Sequence, residues 1–408
     1  MSPAPASALP PGPLVAFYGD DYTGASAVME VLSFAGLPTV LFLGPPTPAQ
    51  LARFQDRRGI GIAGVARSQP PEWMDEELPP IFEQLAALKA PISHYKVCST
   101  FDSSPEIGSI GRAAEIGERL LGGAWHPLIV GAPAIARYQA FGNLFAAIDG
   151  TGYRLDRHPV MARHPVTPMN EADVRRHLAR QTDMPVGLID FVAMKTGRAE
   201  AQLAAERAAG ARILALDVLD EETLAQAGRL VWEHRGERLF ALGSQGLEYA
   251  LVAYWRDAGL LEAAAPTPPP ARAAHIAVVS GSCSPITAAQ IGHALDNGFE
   301  GIRLDATRAV DSQAWEREIA RGTAAALKVL ETGRDPLIFT ACGPDDPAVP
   351  ALGHAIEAAG IAPAQVNARI GDGLGRVLDA VVDRAGLTRA VISGGDTSGH
   401  AGMALGIY

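Results

Sequence analysis

Short apolar runs alternate with helix-forming segments along most of this 408-residue sequence. The runs have the length of strands and are apolar throughout, which is typical of strands buried on both faces of a parallel sheet. A strand, a helix and a second parallel strand form the repeating unit of α/β proteins. The pattern therefore predicts an α/β fold with largely parallel sheets flanked by helices. Predicted strands cover residues 14–18, 39–43, 60–66, 127–130, 186–191, 212–216, 238–242, 275–280, 301–304 and 337–340, and others lie around Lys96 and before Gly394.

One stretch interrupts this alternation and divides the chain. Residues 262–274 read Glu-Ala-Ala-Ala-Pro-Thr-Pro-Pro-Pro-Ala-Arg-Ala-Ala, and prolines at this density are incompatible with a helix or a central strand. The alternation resumes afterwards, so we expect a first domain over 13–262, a linker over 263–274 and a second domain over 275–408. Residues 1–12 are rich in proline and alanine and are expected to form a disordered leader.

The acidic balance of the chain limits its partners. The formal net charge is −11 and the isoelectric point is about 5.4, which argues against nucleic acid or an anionic membrane surface as a partner. Cys98, Cys283 and Cys342 are odd in number and include no CxxC pair, which is typical of free thiols in a reducing compartment. The sequence shows neither a signal-peptide pattern nor an apolar run of membrane-spanning length. We therefore expect a soluble cytoplasmic protein.

Polar residues gather where predicted strands of the first domain end. The first strand leads into Gly19-Asp20-Asp21-Tyr22-Thr23-Gly24 before a helix, and the third ends at Arg67-Ser68. The carboxyl ends of parallel strands share one edge of a sheet, where ligands bind in open α/β folds. One aspartate in such a turn is commonly a helix cap. Two adjacent aspartates leave one without that explanation, so Asp20 and Asp21 are candidate site residues.

A lysine follows at the end of the next strand. Lys96 precedes Cys98-Ser99-Thr100, and an ammonium group beside hydroxyls suits a phosphate or a carboxylate. The pattern leaves open the alternative that Lys96 only extends from the edge of a sheet into solvent.

The segment over residues 138–169 lacks a regular pattern. It combines prolines and glycines with Arg154, Arg157, His158, Arg163 and His164, and loops of this length are frequently functional. The His-Pro pairs in this loop do not have the spacing of a metal-binding helix pair. We therefore predict no zinc site here and name no residue of the sequence as a metal ligand.

Two strand-to-helix turns of the second domain are rich in small and hydroxyl residues. They read Gly281-Ser282-Cys283-Ser284-Pro285 and Gly394-Gly395-Asp396-Thr397-Ser398. Glycine permits positive φ and close approach of a ligand, and Thr397 and Ser398 can cap the following helix and present its amides to an anion. In a parallel sheet both turns share one edge, where they can hold a polyphosphate without a lysine. The geometry of an ordinary strand-to-helix turn explains the pair Gly394-Gly395 equally well.

The usual nucleotide and hydrolase fingerprints are missing or incomplete. The sequence contains no GxxxxGK[ST] and no GxSxG, which argues against a Walker-type site and an α/β hydrolase. Residues 371–375 read Gly-Asp-Gly-Leu-Gly, but Arg376 stands where a dinucleotide fingerprint requires glycine. We interpret this cluster as the start of a helix.

Three motifs occur in one order along the chain. They are Gly-Asp-Asp-Tyr-Thr-Gly-Ala from Gly19, Gly-Ser-Cys-Ser-Pro-Ile-Thr-Ala-Ala-Gln-Ile from Gly281, and Ser-Gly-Gly-Asp-Thr-Ser-Gly from Ser393. With these motifs, and over nearly its whole length, the sequence resembles the four-carbon acid sugar kinase family. The resemblance implies an N-terminal domain that binds a sugar acid, a C-terminal domain that binds the nucleotide, and an active site in the cleft between them. It also implies ATP-dependent phosphorylation, with Mg²⁺, of a hydroxyl of a small sugar acid such as erythronate, threonate, a 3-oxo-tetronate or 3-oxo-isoapionate.

The resemblance assigns roles to individual residues. Asp20, Asp21, Thr23 and Gly24 match the substrate motif Asp-Asp-x-Thr-Gly, and we expect one of the aspartates to act as the base or to orient the acceptor. Arg67 and Lys96 are expected to hold the substrate carboxylate. The remaining predicted substrate residues are Ser68, Ser99 and Thr100, and the predicted ATP-contacting residues are Ser282, Ser284, Gly394, Gly395, Asp396 and Thr397.

The sequence departs from the family pattern at two places. Many members have Lys-x-Asp-Ser-Thr-Leu-Arg-Gly where this chain has Lys96-Val97-Cys98-Ser99-Thr100-Phe101-Asp102-Ser103, so the choice of sugar acid is expected to differ. Family members also continue past the last helix with a glycine-containing segment that closes over the nucleotide, whereas this sequence ends at Tyr408. Either the chain continues further or that contact is missing.

Two other functions are weighed against the kinase. A non-catalytic sugar-acid sensor with the same fold would bind its ligand without ATP turnover. A nicotinamide-dependent sugar-acid dehydrogenase would need a complete GxGxxG and an acid about 20 residues further on, and the sequence has neither. A homodimer is possible, since the sequence leaves the oligomeric state open.

Overall fold

Parallel sheets flanked by helices make up both parts of the chain, which confirms the predicted α/β class. The computed structural model describes residues 8–148, 150–164, 166–264 and 269–408, and of Gly395 and Asp396 only the backbone. One compact unit extends to residue 267 and a second begins at residue 268. Residues 1–7 of the expected leader and 265–268 of the expected linker lie outside the described residues. None of the helices in the described ranges is long and apolar enough to cross a membrane.

The first unit is built on an eight-stranded parallel sheet in the order β2-β3-β1-β4-β11-β5-β10-β9. The order places β1 and its neighbours β3 and β4 side by side, so the loops that follow these three strands meet at one edge. The strands are β1 (Val15–Gly19), β2 (Thr39–Phe42), β3 (Gly59–Ala63), β4 (Ile92–Lys96), β5 (His126–Ile129), β9 (Val186–Ile189), β10 (Ile213–Leu216) and β11 (Leu239–Gly243), and the strands β6–β8 between them in sequence form a separate sheet given below.

Helices cover both faces of this sheet because successive strand residues point to opposite sides. Ala16 and Tyr18 of β1 belong to one buried apolar cluster and Val15 and Phe17 to another. The first cluster packs against α3 and α4, and the second against α1, α8 and α9. The helices of this unit are α1 (Tyr22–Phe34), α2 (Pro48–Ala52), α3 (Pro71–Ala87), α4 (Ile110–Leu121), α5 (Val174–Leu178), α6 (Phe191–Lys195), α7 (Ala199–Ala208), α8 (Glu221–Glu233) and α9 (Gly246–Asp257).

The segment that lacks a regular sequence pattern contains a three-stranded antiparallel sheet. Its strands are β6 (Arg137–Ala140), β7 (Asn143–Ile148) and β8 (Thr151–Arg154), paired in that order. The expectation of an irregular loop over residues 138–169 was therefore wrong for its first half. The strands are short, and Gly142 and Gly150 between them have positive φ. Each strand is too brief to show a clear alternation of apolar and polar residues.

Helices α8 and α9 pack at a distance that only glycine permits. A Cβ atom on Gly228 of α8 would lie 1.9 Å from the backbone oxygen of Ala250 in α9. Backbone cannot yield as a flexible side chain can, so we expect Gly228→Ala to lower the free energy of unfolding by about 1–3 kcal/mol or more. Thermal unfolding followed by circular dichroism should show Tm lowered by about 2–4 °C for each kcal/mol lost.

The matched control for Gly228 is a helical glycine in open space. Gly353 lies inside a helix of the second unit, and a Cβ there would meet nothing within 4 Å. Gly353→Ala should raise stability by about 0.5–1 kcal/mol because alanine is the better helix former. Equal Tm values for the two variants would contradict the close packing of α8 on α9.

The second unit contains a four-stranded parallel sheet in the order β13-β14-β12-β15. Residues of α11 and α13 form the main buried cluster with the sheet, and Ile291 of α10 joins a smaller cluster with Leu337 and Phe339. The strands are β12 (Ala277–Ser280), β13 (Phe299–Arg303), β14 (Asp335–Phe339) and β15 (Ala390–Ser393), and the helices are α10 (Pro285–Asp296), α11 (Ser312–Glu331), α12 (Ala348–Ala359), α13 (Pro363–Ala385) and α14 (Gly395–Ala404).

The glycine cluster at residues 371–375 lies in the middle of α13. We expected it to begin a helix, and that placement was wrong. A Cβ on Gly373 would lie 2.4 Å from Nε1 of Trp315, and one on Gly375 would lie 2.6 Å from Cα of Ala401. Glycine is unfavourable inside an isolated helix, and the close packing of α13 against α11 and α14 outweighs that cost here.

Candidate active site

Asp20, Asp21 and Arg67 form one ion cluster at the carboxyl edge of the large sheet. Arg67 donates through Nη2 to Oδ1 of Asp20 at 2.6 Å and through Nε to Oδ2 at 3.2 Å. It also donates to Asp21, through Nη1 to Oδ2 at 2.8 Å and through Nη2 to Oδ1 at 3.0 Å. The guanidinium thus bridges the two carboxylates, as its planar fork allows.

Sheet order and capping place these three residues. Asp20 and Asp21 directly follow β1, and Arg67 lies in a short turn after β3, the strand paired with β1. The amide of Arg67 donates to the carbonyl of Asp20 at 3.0 Å. Asp21 is the N-cap of α1 and accepts from the amide of Gly24 at 2.6 Å. Asp21 is therefore both a helix cap and a member of the cluster, roles that the sequence offered as alternatives.

The two aspartates differ in their exposure to solvent. Asp20 is 3% exposed, whereas 31% of the Asp21 side chain is exposed. Burial raises the pKa of Asp20, and the charges of Arg67 and Lys96 offset this only in part. Burial acts to lower the pKa of Arg67, but Asp20 and the other acids around it raise it well above its ordinary value. Arg67 is therefore a permanent cation at this edge.

Lys96 is almost fully buried beside the cluster. It is 2% exposed and its Nζ donates to the carbonyl oxygen of Val97 at 2.7 Å. A Cβ on Gly24 would lie 2.7 Å from this Nζ and 2.3 Å from Oδ1 of Asp21, so Gly24 leaves the space in which the two charged groups approach each other. Among the described side chains, no carboxylate lies within ion-pair distance of Lys96. A solvated lysine, the alternative interpretation, does not describe this buried ammonium group.

The other predicted substrate residues lie in the same loops with more varied surroundings. Thr23 is exposed in the first turn of α1. Ser68 is exposed and its hydroxyl donates to the carbonyl oxygen of Val65 at 3.0 Å. Ser99 is half-buried, and Thr100 is buried and bonds to Cys98 and Asp102. The loop after β4 thus contains an acid, Asp102, that the sequence showed only as a departure from a family pattern.

In the second unit the two hydroxyl-rich turns lie next to each other. They follow β12 and β15, which pair in parallel with Ser280 opposite Ser393, and the amide of Gly281 donates to the carbonyl of Ser393 at 3.2 Å. Helix α10 starts behind its N-cap Ser284, and α14 starts directly after Gly394. Two helix N-termini with free amides therefore share one edge, which favours an anionic ligand.

Glycine and threonine pack closely where these turns meet. A Cβ on Gly281 would lie 2.3 Å from Oγ1 of Thr397, and Gly394 has a φ of 121° that other residues rarely adopt. Thr397 and Ser398 lie inside the first turn of α14, so the expectation that they cap it was wrong. Gly394 is the N-cap, and the Ser398 hydroxyl donates back to its carbonyl at 2.6 Å. The side chain of Asp396 lies outside what the structure describes.

A cavity of about 260 Å³ opens at this edge of the second unit. Thr340, Asn367, Thr397 and Cys283 line it, with the backbone of Gly281 at the same end as Thr397. Much of the rest is apolar, which is common in sites that bind a flat ring. The apolar side chains around it are Ala306, Ala341, Ala348, Val349, Leu352 and Ile370.

An ion pair that the sequence did not indicate is bonded to the backbone beside this cavity. Arg303 at the end of β13 donates to both oxygens of Asp346, at 2.8 and 2.7 Å. Asp346 also accepts from the amides of Cys342 and Ala348, at 2.7 and 2.9 Å. The Arg303 guanidinium and these amides hold the pKa of Asp346 well below its usual range. Only the fold pairs these two residues, which are 43 positions apart in the sequence.

Protein ligands alone do not form a metal site in the part of the chain that the structure describes. No group of three or more His, Cys, Asp or Glu side chains there could hold a metal ion. This finding covers His158 and His164, which follow the antiparallel sheet in the sequence.

Both units match known protein domains. Residues 15–251 match the model of a sugar-binding N-terminal domain, and residues 277–408 match that of a nucleotide-binding C-terminal domain. A 3-oxo-isoapionate kinase of Paraburkholderia graminis is 52% identical, over 98% of this chain and 86% of its own length. A 3-oxo-tetronate kinase of Methylobacterium radiotolerans is 33% identical, over 95% of this chain and 87% of its own.

Solved structures show the same fold at lower sequence identity. A protein from Salmonella typhimurium LT2 superposes with a TM-score of 0.78 at 23% identity, and the match covers 96% of this chain and 88% of that one. A Haemophilus influenzae protein superposes with a TM-score of 0.70 at 24% identity, with the same coverage of both chains. With both domain models matched and relatives aligned over nearly its full length, this chain belongs to the four-carbon acid sugar kinase family.

Proposed function

We propose that this protein is an ATP-dependent kinase that phosphorylates a hydroxyl of a small sugar acid of the 3-oxo-isoapionate or 3-oxo-tetronate type. The observation behind this proposal is the cluster of Asp20, Asp21, Arg67 and Lys96 at the carboxyl edge of the sheet in the sugar-binding unit, in which Asp20 and Lys96 are buried. The 52% identity to a 3-oxo-isoapionate kinase favours that substrate over the other acids of the class. We assign the sugar acid to residues 13–262 and the nucleotide to residues 275–408.

Lys96 is the group we assign to the substrate carboxylate. Arg67 makes four hydrogen bonds to Asp20 and Asp21, which leaves one of its five N–H groups for a ligand, too few for a bidentate bond to a carboxylate. Lys96 keeps two donors after its bond to the Val97 carbonyl. A buried cation with no carboxylate within ion-pair distance is costly, so an incoming carboxylate stabilises the charge of Lys96 while Lys96 binds the carboxylate.

Asp21 is the aspartate we assign to the reacting hydroxyl. Its side chain is 31% exposed and reaches solvent at the edge where Lys96 lies, whereas Asp20 is 3% exposed and held by Arg67. A general base must come within hydrogen-bond distance of the proton that it removes. In this scheme Asp21 accepts the proton of the hydroxyl, or orients that hydroxyl, and Asp20 positions Arg67.

The second unit is suited to hold ATP without a lysine at the phosphates. Helices α10 and α14 begin after their N-caps Ser284 and Gly394, behind the paired strands β12 and β15, and offer amides to the phosphate chain. The apolar cavity beside Thr397 gives room for the base, with Asn367 able to donate and accept. Phosphoryl transfer depends mainly on positioning and charge neutralisation, which these groups supply.

Mg²⁺ is part of this proposal as an ion that arrives with the nucleotide. In nucleotide sites this ion keeps several waters and binds phosphate oxygens with one or two protein groups. The two turns offer hydroxyls at Ser282, Ser284 and Thr397. The described residues include no cluster of side chains that could hold a resident metal ion, so the site fits an ion that is bound mainly by the nucleotide. When bound, Mg²⁺ neutralises charge on the transferred phosphoryl group.

Two observations bear on the compartment and on the competing functions. Cys98, Cys283 and Cys342 are all free thiols, which supports our proposal that the protein works in a reducing cytoplasm. The glycines at 371–375 lie inside α13, where they allow close helix packing. They therefore do not form the dinucleotide-binding turn that a dehydrogenase would need. A sugar-acid sensor remains the competing function, and turnover distinguishes it from the kinase.

The first experiment measures ADP release from MgATP with a panel of four- and five-carbon sugar acids and their 3-oxo forms. We expect turnover with at least one 3-oxo acid. Lys96→Met, which keeps the unbranched apolar stem of the side chain and removes the charged end, should raise KM for that acid by about 10- to 100-fold, the equivalent of a charged hydrogen bond, and leave KM for ATP nearly unchanged. Binding of the acid without any turnover would favour the sensor, and a Lys96→Met variant with normal KM would contradict the assignment of the carboxylate.

A further inference from the structure

The loop that follows β4 holds one residue in a strained conformation. Phe101 has a φ of 56°, a left-handed backbone that bulky residues adopt only where the surrounding structure fixes it. Its ring is 0% exposed and lies beside the ring of His177, with centroids 5.7 Å apart. The loop starts at Lys96, so its conformation affects the ammonium group that we assign to the substrate carboxylate.

Three polar side chains form a hydrogen-bonded relay within this loop. Oγ1 of Thr100 donates to Oδ1 of Asp102 at 2.6 Å, and Sγ of Cys98 lies 2.9 Å from the same Oγ1. A threonine hydroxyl has one proton, so Cys98 must be the donor to Thr100. Burial and then the charge of Asp102 raise the pKa of the Cys98 thiol to about 11, which keeps that proton on sulfur.

The relay ends in a carboxylate that interacts with Arg67. Asp102 is 7% exposed, and burial alone would raise its pKa, but Arg67 and the Thr100 hydroxyl lower it below its ordinary value. Asp102 is therefore ionised at neutral pH. Arg67 thus interacts with Asp102 through its charge, in addition to its hydrogen bonds with Asp20 and Asp21.

The backbone of the loop connects the relay to Lys96. Nζ of Lys96 donates to the carbonyl of Val97 at 2.7 Å. The amide of Val97 donates to Gly243 at 2.8 Å, and the amide of Phe101 donates to Cys98 at 3.0 Å. The relay links side chains of the same turn, which follows directly on the Val97 carbonyl that Lys96 bonds.

We propose that Asp102 is a positioning residue of the sugar-acid site. Through Thr100 and Cys98 it fixes the turn that holds Lys96, and its charge offsets that of Arg67. The proposal rests on the sugar-acid kinase function proposed above. On this proposal the affinity for the sugar acid depends on Asp102, whereas the affinity for ATP does not.

Steady-state kinetics of three variants test the relay. Asp102→Asn keeps the shape and removes the charge, Thr100→Val keeps the shape and removes the hydroxyl, and Thr100→Ser keeps the hydroxyl. We expect the first two to raise KM for the sugar acid by about tenfold and to change KM for ATP by less than about twofold, because only the acid contacts Lys96. Thr100→Ser should stay within about threefold of the wild type in both constants. If no turnover is detected, calorimetric titration with the acid in the absence of ATP compares the same three variants by their Kd for the acid.

Ser103 provides the matched control in the same loop. Its Oγ lies 2.9 Å from Nε2 of His177 and accepts from Nε2 of Gln181 at 2.9 Å, outside the relay. Ser103→Ala should lower Tm and leave KM for the acid within about twofold. Normal KM in Asp102→Asn, or a rise in Ser103→Ala equal to that in Thr100→Val, would overturn the role of Asp102. A wild-type protein that neither binds nor phosphorylates any acid of the panel would overturn the kinase function and this proposal with it.

Discussion

Asp21→Asn should lower kcat by about 10²- to 10⁴-fold, the usual contribution of a positioned general base. Asparagine keeps the shape of the side chain and an oxygen that can still accept from the amide of Gly24, the bond that makes Asp21 the N-cap of α1. The substitution removes the negative charge and the ability to take a proton. Because Asp21 is partly exposed, the folded state should lose little stability.

The contrast with Asp20→Asn makes this prediction specific. Asp20 is 3% exposed and accepts two hydrogen bonds from Arg67, and removing one partner of a buried ion pair costs about 3–5 kcal/mol. Asp20→Asn should therefore lower both Tm and kcat, whereas Asp21→Asn should lower kcat alone. ADP release gives kcat, and the rise in Tm on adding MgATP shows whether the nucleotide still binds. Turnover of Asp21→Asn within about threefold of the wild type would exclude a catalytic role for Asp21.

Gly24→Ala should reduce kcat/KM for the sugar acid by about 100-fold or more without unfolding the protein. The added Cβ would lie 2.3 Å from Oδ1 of Asp21, 2.7 Å from Nζ of Lys96 and 3.4 Å from Nη2 of Arg67. These atoms are the ends of side chains, so the side chains move and the backbone stays in place. A single methyl group therefore displaces the assigned base and the assigned carboxylate ligand together.

The stability of the Gly24→Ala variant should stay near that of the wild type. Alanine is favoured over glycine in a helix by about 1 kcal/mol, which offsets the strain of the displaced side chains. Gly292→Ala is the matched control, because Gly292 lies in α10 and a Cβ there meets nothing within 4 Å. Gly292→Ala should keep full kcat/KM. Normal activity of Gly24→Ala, measured in the same ADP-release assay, would show that Asp21 and Lys96 do not need their present positions.

The α/β fold and much of the candidate site could be predicted from local patterns. Apolar strand-length runs, such as residues 14–18 at β1, and the helices between them need only local composition, because parallel strands buried on both faces are apolar throughout. Asp20 and Asp21 stood out because two adjacent acids follow a strand. The turns that begin at Gly281 and Gly394 stood out because small and hydroxyl residues precede a helix. Each of these signals lies within about ten neighbouring positions, where the chain constrains itself.

Long-range packing accounts for the features that local patterns misplaced. The glycines at 371–375 look like a helix boundary because glycine disfavours helix locally, yet they lie inside α13, where Trp315 and Ala401 occupy the space that side chains would need. The strands β6–β8 are too short to show the alternation of apolar and polar residues that marks a strand. Thr397 was expected to cap α14 and lies inside it, because Gly394 adopts the cap conformation instead.

The sequence by itself determined which residues are available at the carboxyl edges of the two sheets, because strand and helix patterns are local. Only the tertiary structure decided what each residue does there. Arg67 is 47 positions from Asp20 and meets it because β3 pairs with β1, so a residue expected to contact the substrate also bridges two aspartates. Burial likewise distinguished Asp20 from Asp21 and made Lys96 a cation without an ion-pair partner among the described residues. Hydrogen bonds and desolvation depend on distances between strands that are remote in sequence, and those distances exist only in the folded chain.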